Sequence, residues 1–152
     1  MTAFTLLTSL YVISGRLSAT QGDLPPSLTT VWLSSNLFSA VPQAVSKLSR
    51  LRILHLGSNL VTSIDTFVFP SSLTNLYLSN NTITVLSAIT FKDDICHLDH
   101  LDLSNNPLTT IRDGAFSHAT SLTSLTLTGD QLVRLPLALK DLTKMTYLSM
   151  GG

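Results

Sequence analysis

Residues 98–108 read LDHLDLSNNPL, and this stretch decides the fold. It places leucine at Leu98, Leu101, Leu103 and Leu108, and it places asparagine at Asn106. The alternation L-x-L has a period of two, so both leucines of such a pair lie on one face of a short strand. The stretch therefore predicts a strand that is buried on one face and that ends in a turn at the asparagine.

The same pattern recurs along almost the whole chain. Seven repeats start near residues 7, 28, 51, 73, 98, 122 and 145, and they are spaced 21 to 25 residues apart. Such a repeat predicts a solenoid, because each coil can bury its leucines only against its neighbours. We expect one domain, 1–152, of seven coils, with the last coil truncated.

This register predicts an α/β solenoid, a curved right-handed stack with a parallel sheet on its concave face. The convex face should hold irregular segments and short helical turns, as at 43–48 and 137–142. An asparagine amide both donates and accepts hydrogen bonds, so we expect a buried ladder along the stack. Its members are Asn36, Asn59, Asn81 and Asn106. The ladder should fray at Gly15 and Asp130, because neither can donate from its side chain.

The return half of each coil also repeats. Phe69, Phe91 and Phe116 each follow their repeat start by the same number of residues, so they should stack under the convex face. A second set should be buried in the turn towards that face: Val41, Ile64, Leu86, Ile111 and Leu135.

On these residues the chain resembles the leucine-rich-repeat family in its typical form, over about residues 7–150. The resemblance implies a non-catalytic module that binds a protein or a peptide. It leaves open that the chain is a fragment of a longer leucine-rich-repeat protein. One such origin is the sensing ectodomain of a receptor-like kinase whose membrane and kinase parts are absent here.

Composition narrows the choice of partner and leaves the compartment open. Nine basic residues balance nine acidic ones, so we expect no nucleic-acid partner. No stretch has the length of a membrane span, so we expect no membrane insertion by this chain. Residues 4–13 have the length of a signal-peptide core but lack a preceding basic residue. They fit either a leader or the first coil, and the location is cytoplasmic or extracellular. The oligomeric state is not predicted.

The concave positions of the strands give the candidate binding site. Four aromatic residues should form a stripe, because neighbouring strands lie about 4.8 Å apart. Exposed Trp and Tyr are enriched at binding hot spots, so this stripe predicts a ligand-binding face. The predicted contact residues are Tyr11, Trp32, His55, Tyr77, Asp102, Ile53, Asn75 and His100. The alternative is that the rings only cover one another.

No pattern of catalytic residues is recognised, so we expect a chain that is not an enzyme and that has no cofactor. Cys96, His97 and His100 lie close in sequence, but the predicted strand separates them, and we expect no metal site. The single cysteine excludes an internal disulfide. The sequon Asn80-Asn81-Thr82 makes Asn80 a candidate glycosylation site.

Overall fold

A computed structural model describes residues 4–91 and 95–151. Residues 1–3, 92–94 and 152 belong to the predicted range 1–152 but lie outside the described residues. The strands of the described part are β1 (Ser9–Tyr11), β2 (Thr30–Trp32), β3 (Ile53–His55), β4 (Asn75–Tyr77), β5 (Val85–Leu86), β6 (His100–Asp102), β7 (Thr110–Ile111), β8 (Ser124–Thr128) and β9 (Tyr147–Gly151).

One parallel sheet runs through the described part of the chain. Its order is β1-β2-β3-β4-β6-β8-β9, with one strand from each coil. The central residue of each strand pairs with its counterpart in the next, as Leu54 does with Leu76 and Leu76 with Leu101. These three leucines are buried, because the alternation turns them into the core. The predicted leucine-rich-repeat solenoid is confirmed.

The convex side contains little regular structure. β5 and β7 form a separate two-stranded parallel sheet. Two short 3₁₀ helices, Gln43–Lys47 and Leu137–Asp141, each follow a proline. Pro42 and Pro136 have φ values of −60° and −67°, and the proline ring fixes φ near these values. The helical turns that the sequence predicts at 43–48 and 137–142 are therefore present.

The three phenylalanines form a row beneath the convex face. The ring centroid of Phe91 lies 6.2 Å from that of Phe69 and 6.2 Å from that of Phe116. All three side chains are buried. Their equal offsets within successive coils explain the row, since a residue at the same offset meets its counterpart in the next coil.

The ladder asparagines join neighbouring coils through their side chains. Asn59 Nδ2 donates to the carbonyl of Leu33 in the preceding coil at 2.9 Å and to that of Leu56 in its own coil at 3.0 Å. Asn59 Oδ1 accepts from the Phe38 N–H at 3.1 Å. Asn36, Asn81 and Asn106 make the corresponding bonds. These bonds satisfy backbone groups that would otherwise be buried without partners.

The ladder ends as expected at Asp130. Asp130 Oδ1 accepts from the Asn106 N–H at 3.0 Å. The other oxygen, Oδ2, is buried and has no hydrogen-bond partner among the described residues. Burial raises the pKa of Asp130 to about 6, a rise that the Asn106 bond opposes and the charge of Asp102 assists. At the opposite end Gly15 brings no side chain to the ladder.

The predicted burial of Leu135 is wrong, although Val41, Ile64, Leu86 and Ile111 are buried. The Leu135 side chain is 68% exposed. Leu86 and Ile111 belong to the paired strands β5 and β7, and this small sheet does not continue to the segment 132–136. A cleft lined in part by Ile111 and Leu135 separates that segment from the preceding coil. The leucine therefore lacks the neighbour that would cover it.

Candidate ligand-binding face

The register of the sheet arranges the outward side chains of the concave face in columns. The first column contains Ser9, Thr30, Ile53, Asn75, His100, Ser124 and Tyr147. The second contains Tyr11, Trp32, His55, Tyr77, Asp102, Thr126 and Ser149. All eight predicted contact residues therefore lie on one face of the sheet.

Four aromatic side chains of the second column form a continuous ring stack, made of Tyr11, Trp32, His55 and Tyr77. The His55 and Tyr77 ring centroids lie 3.9 Å apart with an interplanar angle of 9°. Trp32 lies 3.7 Å from His55, and Tyr11 lies 5.6 Å from Trp32 at a tilt of 44°. His55 and Tyr77 therefore stack face to face, whereas the Trp32 ring is tilted by 33° against His55.

The environment of the ring stack disfavours a charge on His55. Burial between its neighbours lowers the pKa of His55 to about 4, and the charge of Asp102 opposes this shift only in part. The His55 ring is half-buried between Trp32 and Tyr77, which displace the water that would solvate an imidazolium. A partner would therefore meet a neutral aromatic ridge.

A negatively charged patch follows the ring stack along the sheet. Asp102 Oδ1 accepts from the Ser104 N–H at 2.9 Å and from the Ser104 hydroxyl at 2.6 Å. One position before the strand, Asp99 accepts from the Thr123 hydroxyl and lies 3.2 Å from His100 Nδ1. These contacts hold both carboxylates in place, and Asp102 is the one that pairs in register with Tyr77.

The first column supports Tyr77. Asn75 Nδ2 donates to the Tyr77 hydroxyl at 3.3 Å, and Asn75 Oδ1 accepts from the Thr74 hydroxyl at 2.7 Å. Ile53 is half-buried beside Asn75, and His100 is exposed on the other side. The hydrogen bonds therefore orient the ring that ends the stack.

A row of small residues lies beyond the second column. Its members Ser34, Gly57, Ser79, Ser104 and Thr128 lie two residues after their second-column neighbours. A Cβ atom on Gly57 would lie 3.1 Å from Ser79 Oγ, so glycine fits this position without displacing the serine. This row therefore places no large side chain beside the ring stack.

Ser104 is the positioning residue that the sequence reasoning did not identify. Its N–H and hydroxyl both bond to the carboxylate two residues earlier. An aspartate side chain often accepts a hydrogen bond from the backbone N–H two residues later. The pattern Asp-x-Ser could therefore have indicated the contact between Asp102 and Ser104.

The cysteine and histidines do not converge on one point. Cys96 Sγ lies 3.4 Å from His97 Nδ1, which lies 3.1 Å from the Ser71 carbonyl oxygen. His100 lies on strand β6 and contacts Asp99. Within residues 4–91 and 95–151, no group of three or more His, Cys, Asp or Glu side chains could hold a metal ion.

The candidate glycosylation residue lies at the edge of the concave face. Asn80 is exposed and has a positive φ of 53°, and its N–H donates to the Ser104 carbonyl at 2.9 Å. Its backbone is thus fixed by the next coil, whereas its side chain remains exposed to solvent.

Comparison with known families agrees with this geometry. A family model described as leucine rich repeat matches residues 26–82, 71–132 and 96–152. The chain belongs to the leucine-rich-repeat family. The three overlapping matches cover most of the sheet, including the strands of Trp32, His55 and Tyr77.

Two curated leucine-rich-repeat relatives are much longer than the chain. Mouse podocan-like protein 1 is 35% identical over 119 residues, which are 71% of this chain and 20% of that protein. Human leucine-rich repeats and immunoglobulin-like domains protein 1 is 29% identical over 136 residues, 88% of this chain and 12% of that protein. The chain spans a fifth or less of each relative.

A solved leucine-rich-repeat structure has the same fold. The protein from Leptospira interrogans superposes with a TM-score of 0.78 and covers 98% of this chain, which in turn covers 38% of it. The sequences are 23% identical, so this likeness concerns the fold alone. Among the described residues no helix has the length and apolar character needed to cross a bilayer.

Proposed function

We propose that the chain is a non-catalytic recognition module that binds a protein or a peptide on its concave face. Leucine-rich-repeat proteins generally mediate protein–protein interaction. The single observation that carries the proposal is the ring stack of Tyr11, Trp32, His55 and Tyr77, which is aligned along the sheet.

The ring stack is preorganised for binding. Trp32, His55 and Tyr77 fix one another by stacking, and Asn75 holds the Tyr77 hydroxyl. A partner therefore need not order these side chains, and ordering a mobile side chain costs about 0.5–1.5 kcal/mol. The small residues beside the stack place no large side chain in the way of a partner backbone.

The contacts of the polar residues on the concave face favour binding over catalysis. Ser79, His100 and Asp102 share it, but His100 contacts Asp99 while Asp102 is held by Ser104. This leaves no serine–histidine–aspartate relay among the three. Two clefts of the described part lie on the convex return side and beside β9, away from the ring stack.

The test is a selection of peptides from a random display library on the purified chain, followed by calorimetry of the selected peptides. The double variant Trp32→Ala and Tyr77→Ala should weaken binding at least about tenfold, because truncating a hot-spot residue typically costs 2 kcal/mol or more. Leu137→Ala is the matched control, since Leu137 is 71% exposed on the convex side. Unchanged affinity in a double variant that melts like the wild type would refute the proposal.

The exposed side chain of Asn80 favours a second candidate, an extracellular sensing ectodomain such as that of a leucine-rich-repeat receptor-like kinase. A glycan on Asn80 would require passage through the secretory pathway. Intact-mass measurement of the protein from its native source, before and after glycosidase, tests this candidate. An unmodified chain would count against it.

A further inference from the structure

The ring stack ends at Tyr77, and the next position in its column is Asp102. Trp32 and His55 each have an aromatic neighbour on both sides, at ring-centroid distances between 3.7 and 5.6 Å. Tyr77 has such a neighbour only towards His55 within the described part of the chain. The Tyr77 face turned towards β6 therefore has a short carboxylate, and not a ring, beside it.

That carboxylate retains acceptor capacity. Both bonds from Ser104 go to Oδ1 of Asp102, and Oδ2 receives no hydrogen bond from the described residues. Neither the first nor the second column contains a lysine or an arginine. His100, two residues before Asp102 in the first column, contacts Asp99. The carboxylate beside Tyr77 therefore has no lysine or arginine as a counterpart in these columns.

We propose that the partner is a protein or peptide segment that places an arginine against Tyr77 and Asp102. The inference rests on the proposed function and specifies its ligand. The planar guanidinium stacks on the open face of Tyr77 and so continues the ring stack. Its N–H groups donate to the Asp102 carboxylate, which Ser104 holds in place.

Other side chains meet only half of these requirements. A lysine pairs with Asp102, but its ammonium group has no planar surface to stack on Tyr77. An aromatic residue of the partner continues the ring stack, but it leaves the Asp102 carboxylate without a donor. Ser79 and Ser104 are small, so no large side chain of their row blocks the extended segment that carries the arginine.

The experiment uses four capped heptapeptides, Gly-Ser-Gly-X-Gly-Ser-Gly, in which X is arginine, lysine, citrulline or phenylalanine. Citrulline is the matched probe, because it has nearly the shape of arginine without the charge. Each peptide is titrated into the full chain and followed by amide NMR shifts and by the fluorescence of Trp32, the single tryptophan. The arginine peptide should shift the Tyr77 and Asp102 signals and bind about tenfold more tightly than the citrulline peptide.

Three variants locate the effect. Asp102→Asn keeps an oxygen for Ser104 but removes the charge, so the arginine peptide should bind it no better than the citrulline peptide. Tyr77→Leu should lose about tenfold because the ring is gone, and Tyr77→Phe, which keeps the ring, should bind the arginine peptide more tightly than Tyr77→Leu. Asp113→Asn is the charge-matched control, since this exposed residue lies on the convex side.

Equal affinities for arginine and citrulline, or full binding by Asp102→Asn, would overturn the inference. The absence of any shift with the arginine peptide at millimolar concentration would also overturn it. The proposed function fails separately. Display-selected peptides that lack arginine but depend on Trp32 and Tyr77 would support the proposed function. Selected peptides that never depend on the ring stack would refute the proposed function.

Discussion

Replacing Asp130 by asparagine should stabilise the solenoid at neutral pH. Asp130 occupies the ladder position of its coil, but its carboxylate accepts from the Asn106 N–H, and its buried Oδ2 has no partner within the described part of the chain. In three preceding coils the ladder residue is Asn59, Asn81 or Asn106. Its Nδ2 donates to one carbonyl of its own coil and to one of the coil before it. The variant Asp130→Asn supplies such a donor without changing the size of the side chain.

The magnitude follows from the groups involved. A buried polar atom without a partner costs about 1–3 kcal/mol, and a new hydrogen bond contributes about 1 kcal/mol net. We therefore expect Asp130→Asn to raise the free energy of unfolding by about 2 kcal/mol at pH 7.5. For a chain of this length that gain corresponds to a rise of about 6 °C in melting temperature.

The gain should shrink in acid. Burial raises the pKa of Asp130 to about 6, so the folded chain holds this proton at pH values where the unfolded chain has released it. The stability that the protonated form contributes is complete below about pH 4, the ordinary pKa of aspartate, and is lost as the pH rises through 6. A protonated carboxyl can also donate, as an asparagine amide does. Wild type and variant should therefore converge towards pH 4.5.

The assay is thermal unfolding of wild type, Asp130→Asn and Asp113→Asn at pH 7.5 and pH 4.5. Asp113→Asn removes the same charge from an exposed carboxylate and should change the melting temperature little. A variant Asp130→Asn that is less stable than wild type at pH 7.5 would refute the ladder argument. A gain of equal size at both pH values would refute the proton linkage.

Further predictions concern the core, the turns and the ring stack. Phe116→Ala should lower the free energy of unfolding by about 3–5 kcal/mol in denaturant titrations, because the ring is fully buried. Leu86→Ala should cost about 2–5 kcal/mol, whereas Leu135→Ala should change stability by about 0.5 kcal/mol or less, since only Leu86 is buried. Ser58→Asn should raise the melting temperature by about 2 °C, because the φ of 56° suits asparagine better than serine. NMR titration of His55 should give a pKa of about 4, and its contribution to stability should be complete above pH 6.5 and lost as the pH falls through 4. A midpoint near 6.5 would contradict burial of the ring in the stack.

The alternation of leucines sufficed to predict which residues share a column. Each coil places Leu54, Leu76 and their counterparts inward, so the residues on either side of them must face outward. The same spacing places Phe69, Phe91 and Phe116 in one row. These features depend only on strand period and repeat register, and both can be read from the order of residues.

The details of the candidate site depend on neighbouring coils. The sequence aligned His55 with Tyr77, but only the structure showed that their rings stack at 3.9 Å. Spacing does not determine side-chain torsion angles, which depend on packing. The bond of Asn75 to Tyr77 and the holding of Asp102 by Ser104 follow from the same packing.

By itself the sequence determined the coil, its inward leucines, the ladder positions and the columns of the concave face, because each follows from a local period repeated in register. Only the tertiary structure decided the exposure of Leu135, the lowered pKa of His55 and, among the described residues, the lack of a partner for Asp130 Oδ2. Burial and hydrogen bonding at these positions are set by the adjacent coil. A residue's offset within its own coil does not specify whether that neighbour covers it.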